Sequence, residues 1–162
     1  MTSDGKVKNV VPFAPPYARI PCGAPTHPMN DLIETRLATI ERVGTELLEV
    51  RFKPDQHVDR AGIDEILEER KRLCPEGTRN ILTIIPGEPD FDLDVVTTDH
   101  YSGRELENCT RALAIAASST INERMAGLFF AYFPQAFATK VFSGEVEARR
   151  WLQEHVAPPS LS

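Results

Sequence analysis

Cysteine is scarce in this chain. Three thiols, Cys22, Cys74 and Cys109, stand among 162 residues, and none forms a CxxC pair. An odd count at wide spacing argues against a disulfide framework and for free thiols in a reducing compartment. Long apolar runs are missing too. The N-terminal stretch MTSDGKVKNVVPFAPP has no apolar segment of the ~7–15 residues that a secretory signal needs. The most apolar later run, Met125 to Phe133, falls far short of the ~20 residues that cross a bilayer. The expectation is a cytoplasmic protein with no transmembrane segment.

Basic charge is also thin, with 18 Lys and Arg against 24 Asp and Glu and a net charge of −6. Phosphate backbones are bound by clustered Lys and Arg, so no nucleic-acid partner is expected. The densest basic run, Arg70-Lys71-Arg72, follows Glu68-Glu69 and ends a predicted helix, where it complements the helix dipole.

Catalytic signatures are absent as well. There is no GxxxxGK[ST], GxGxxG or GxSxG. Ser3-Asp4-Gly5-Lys6 has the SxxK form, but in a tail that cannot hold its geometry. The acidic run Asp90-Phe91-Asp92-Leu93-Asp94 fails as a calcium loop, with Val95 where glycine is needed and Tyr101 where glutamate is needed. Alternation of Phe91, Leu93 and Val95 with acids reads as a half-buried extended segment. His27, His57, His100 and His155 are isolated from one another. His100 has an adjacent carboxylate, Asp99, and the pair reads as a cap beside an exposed ring, with acid/base or metal chemistry as the alternative. No enzyme, metal or cofactor is expected.

What is present starts with proline. Six of the thirteen prolines fall before residue 31, which predicts an extended or disordered arm over residues 1–31. A domain then spans residues 32–157, and residues 158–162 form a tail. Residues 37–43 and 47–52 alternate as a hairpin around Gly44-Thr45. Asp59 caps a helix to about Leu73. Residues 80–85 form a buried strand, and one short helix is expected between about Thr98 and Cys109. Residues 111–117 make another strand. Thr120 and Glu123 match a capping box, opening a helix with Ile121, Met125, Leu128, Phe129 and Tyr132 on its inner stripe. Residues 138–142 close the sheet, and Ser143 caps a last helix with Ala148, Trp151 and Leu152 inward. The order predicts a mixed α/β sheet, mainly parallel after the hairpin.

Two features carry functional expectations. Phe129, Phe130, Tyr132, Phe133 and Phe137 crowd nine residues, and one helix cannot turn them all inward. Phe130, Phe133 and Phe137 are therefore candidates for a subunit or partner interface, with core packing and an apolar ligand pocket as alternatives. Thr97, Thr98 and Ser102 precede the expected short helix, where a phosphate would be favourable, so they are candidate phosphoacceptors as well as caps.

The C-terminal half, from Arg111-Ala112-Leu113-Ala114-Ile115-Ala116 through Leu128-Phe129-Phe130 and Thr139-Lys140-Val141-Phe142 to Ala148-Arg149-Arg150-Trp151-Leu152, resembles small bacterial STAS-like, SpoIIAA-like proteins of uncharacterised function. The resemblance implies a mixed sheet of four to five strands with helices packed on it, related in shape to SEC14 lipid-binding modules. The family's phosphorylatable serine turn does not carry over, because the strand ending at Ile85 runs into Pro86-Gly87-Glu88-Pro89. The expected function is a non-enzymatic regulatory or scaffolding module that binds a protein partner or itself as a homodimer. The alternative is a SEC14-like carrier of an apolar small molecule or lipid.

Overall fold

Local sequence sets the elements first. In the computed structural model, which describes residues 31–74 and 77–156, Gly44 takes a left-handed φ of 69° between two alternating runs. Those runs become β2 (Ala38–Val43) and β3 (Leu47–Phe52), paired antiparallel. A short strand β1 (Leu32–Glu34), not anticipated from the sequence, adds to the outer side of β2. The expected arm lies, apart from Asp31, outside the described residues, as does the tail.

Asp59 caps α1 (Arg60–Arg72) as expected, accepting from Gly62 N at 2.9 Å. Gly62 sits where α1 presses on the buried Leu37, and a Cβ there would overlap the Leu37 side chain. The β-branched run then forms β5 (Arg79–Ile85). After it come β6 (Asp90–Phe91), a one-turn helix α2 (Leu93–Thr97) and a 3₁₀ turn at Leu106–Asn108. β6 pairs in parallel with β4 (His57–Val58) as a small separate sheet. The extended reading of residues 91–95 is thus corrected. Only Phe91 is in a strand, and helical geometry turns Val95 inward and leaves Leu93 exposed.

β7 (Thr110–Ala117), α3 (Thr120–Tyr132), β8 (Ala138–Phe142) and α4 (Glu145–Gln153) complete the domain. Two caps differ from expectation. Ser119, one residue earlier than Thr120, caps α3 by accepting from Asn122 N at 3.1 Å. Gly144, not Ser143, occupies the cap of α4, without a side-chain bond.

The main sheet has six strands in the order β1-β2-β3-β5-β7-β8, antiparallel through β3 and parallel beyond it. The count exceeds the four to five expected by the edge strand β1. Period-two alternation divides β7 cleanly. Leu113, Ile115 and Ala117 face the layer of α1, while Ala112, Ala114 and Ala116 face α4 through Ala148 and Leu152. Outside that alanine strip the α4 face is polar. Arg149 reaches Glu49 at 2.7 Å, and Arg51 lies 3.6 Å from Glu145. Half-exposed pairs of this kind add little stability, so they orient α4 more than they hold it.

Candidate functional site

Side chains pointing from the sheet towards α1 and α3 do not fill the space beneath those helices. A cavity of about 120 Å³ remains, floored by Val50, Thr83, Ile85 and Ile115 and walled by α1, β6, α2 and α3. Native interiors are close-packed, and an apolar cavity of roughly 150 Å³ is large enough to take benzene. The upper wall is aromatic. Phe129 and Phe130 meet edge to face at 4.9 Å, Tyr101 meets Phe130 at 5.7 Å, and the His100 ring stacks on Phe129 at 6.0 Å.

Three buried polar residues enter this lining, and one of them, Asn122, donates to the Gly87 carbonyl at 3.2 Å. Arg70 is 1% exposed and His100 is 5% exposed. Arg70 donates from Nη2 to Thr110 Oγ1 at 2.8 Å, and its guanidinium lies 5.7 Å from the Tyr101 ring centroid. Its Nε has no hydrogen-bond partner among the described residues. Among the described residues no carboxylate forms an ion pair with it. Burying a guanidinium without an opposite charge costs several kcal/mol, on the order of the desolvation of one ion. His100 bonds through Nε2 to the Val95 carbonyl at 2.9 Å, and its Nδ1 has no partner. The nearest acid, Asp64, is 4.0 Å from that nitrogen and is engaged by Arg104 at 2.7 Å. Arg104 also bonds the His100 carbonyl at 2.7 Å, which fixes the loop carrying His100 and Tyr101 to α1.

The C-terminal end of α1 carries a second electrostatic feature. Cys74 and Cys109 are buried free thiols. A hydrogen bond from Cys109, helped by the Arg79 guanidinium 3.6 Å away, pulls the Cys74 thiol down to about 6. The same contact, with burial, pushes Cys109 up. On β4, His57 lies between two carboxylates, 2.7 Å from Asp92 and 3.1 Å from Asp90. Those bonds raise its pKa, Asp92 first. Another hollow, of about 170 Å³, lies under the end of α4 between Leu47, Asn80 and Leu152, rimmed by Glu46 and Arg149. It borders the unpartnered Asn80 Oδ1 and suits water better than an apolar ligand.

The residues singled out from sequence fall differently than expected. Phe137 is 9% exposed and belongs to the core, which removes it from any docking surface. Phe130 is half-buried over the cavity, and Phe133 is half-buried against Phe129 at 5.1 Å. The apolar residues that α3 exposes are Ile121, Leu128 and Tyr132, three of those assigned to its inner stripe. The stripe was placed about a quarter turn off, because Phe129 and Ala126 set the buried face.

The short helix expected after Thr98 is only the 3₁₀ turn at Leu106–Asn108, and Thr97 and Thr98 instead end α2. The Thr97 hydroxyl donates to the Leu93 carbonyl at 3.1 Å, at the helix end where a phosphate is disfavoured. Ser102 is exposed in the turn that follows. Asp99 accepts from Tyr101 N at 3.0 Å and does not pair with His100, whose ring is buried and not exposed as expected. Arg70, read from sequence as a dipole-complementing surface charge, is the residue that sequence reasoning missed. Its only signal was its position at i+3 and i+4 from the core residues Leu67 and Ile66.

Residues 42–156 match a domain of unknown function, DUF7793. The chain belongs to that family. No curated protein matches it. The structure is similar to the crystal structure of an uncharacterised protein of the DUF3478 family, with a SpoIIAA-like fold, from Shewanella loihica PV-4. The TM-score is 0.49 at 15% identity, covering 80% of this chain and 99% of the other. Among the described residues no helix is long and apolar enough to cross a membrane.

Proposed function

We propose that this domain is a non-catalytic, cytoplasmic module that binds a compact apolar small molecule between its sheet and helices α1, α2 and α3. The observation that carries this reading is a cavity of about 120 Å³ bounded by aromatic rings. The free thiols of Cys74 and Cys109 agree with a reducing compartment. The test uses the full chain and toluene as probe. Toluene at about 100 times its Kd raises unfolding free energy by ~2.7 kcal/mol, seen as a higher Tm. Ala126→Phe, which fills the cavity from α3, removes the shift and leaves the fold. Absence of any toluene effect on Tm and on the NMR signals of Phe129 and Phe130 sinks the proposal.

A regulatory protein-interaction role is the second reading, favoured by one observation. Ile121, Leu128 and Tyr132 are 62%, 54% and 70% exposed on one stripe of α3. Isolated apolar residues are ordinary on surfaces, but three aligned ones form a strip that a second copy of the chain can cover about a two-fold axis. Sedimentation across a concentration series tests it. A dimer that Leu128→Glu dissociates supports it, and a monomer at every concentration ends it.

A further inference from the structure

Toluene has no head group, yet the cavity offers one a place. An apolar pocket could be lined by Met or Leu at position 70. Here α1 instead carries a guanidinium into it, 1% exposed, with Nε unpartnered and one neutral hydrogen bond from Nη2 to Thr110. The loop after α2 brings a second buried group, His100, whose Nδ1 is also unpartnered. Both line the one cavity. Arg70 reaches the space from the last turn of α1, whose neighbours Lys71 and Arg72 keep to the surface side.

We propose that the cavity holds a small aromatic or branched carboxylic acid, its apolar body against Phe129, Phe130 and Tyr101 and its carboxylate on Arg70, with His100 beside it. The proposal deepens the small-molecule reading and rests on it. A planar carboxylate matches the guanidinium fork and supplies the carboxylate partner that Arg70 lacks among the described residues. His100 Nε2 faces the Val95 carbonyl, which leaves Nδ1 as the free ring nitrogen among the described residues. The volume limits the acid to a body near the size of a phenyl ring, which excludes a long acyl chain enclosed in the cavity.

The experiment compares three probes on the full chain by isothermal titration: toluene, 3-phenylpropanoate and its neutral isostere 3-phenylpropanamide. The expected result is the carboxylate binding about tenfold or more tighter than the amide, as a charge-assisted bond requires. Arg70→Met removes that preference while toluene still binds, showing that the cavity survives. Equal binding of acid and amide overturns the assignment of the head group, and toluene binding then leaves the cavity reading standing. Failure of all three probes overturns both readings. If Arg70→Met does not fold, the acid-to-amide ratio in the unaltered protein decides alone. His100→Gln is expected to reduce the ratio without abolishing it.

Discussion

The two faces of the main sheet are built on opposite principles. On one, Ala112, Ala114 and Ala116 present a strip of methyl groups on which α4 lies flat through Ala148 and Leu152. On the other, long side chains from β3, β5 and β7 reach towards α1 and α3 and stop short of filling the gap. Small residues let a helix approach and close its layer, whereas large residues beneath a bridging loop leave a chamber. Strands β5 and β7 each serve both faces by alternation, so the two faces share their central strands.

Mutations at matched positions can break this contrast. The largest effect is expected on the closed face: Leu82→Ala, fully buried there, should cost about 2–5 kcal/mol in urea unfolding. A cost below ~1 kcal/mol would show that α4 is loosely seated. Next comes overpacking. Ala114→Leu on the closed face should cost ~1–3 kcal/mol, while Ala126→Leu, which projects into the chamber, should be neutral or mildly stabilising. Equal penalties would mean that the chamber collapses in solution.

Arg70→Met should raise the stability of the unliganded protein by about 1 kcal/mol, since it removes a buried cation without a carboxylate partner among the described residues, giving up the bond to Thr110 and the contact with the Tyr101 ring. Destabilisation would show that the guanidinium is already satisfied. The smallest effect concerns His57 on β4. Its pKa is raised by Asp92 and Asp90, so its stabilising contribution is full below the ordinary histidine value of about 6.5 and fades as pH rises through the higher folded value. An NMR titration should place its midpoint above that of a free histidine, and Asp92→Asn should bring it back down.

The repetitive elements were legible in the sequence because local signals agreed. The hairpin, the Asp59 cap, the buried β5 and the alanine-rich β7 each combine patterning with punctuation. Edge strand β1 escaped notice because Leu32–Glu34 is three residues long and half exposed, leaving almost no alternation to read. α3 misled for a different reason. Its apolar residues outnumber the positions a single buried face can take, so composition could not say which of Tyr132 and Phe130 would be covered. The site was the least legible part. Arg70 looks like its neighbours Lys71 and Arg72 until the loop carrying Tyr101 and His100, some thirty residues later, folds over it. No local pattern encodes that juxtaposition.

The strand order also carries a kinetic consequence. β1, β2 and β3 pair with near neighbours in sequence, whereas β5, β7 and β8 pair only after closing loops of some twenty residues or more. Loop closure must precede any reward from such contacts. The meander at residues 32–52 should therefore organise early, giving high φ-values at Ile40 and Val50, and the parallel strands should join it later. The chamber has walls from α1, α2 and α3 and exists only once the last of them docks. A bound molecule can therefore slow unfolding without speeding folding, and so acts on the lifetime of the native state.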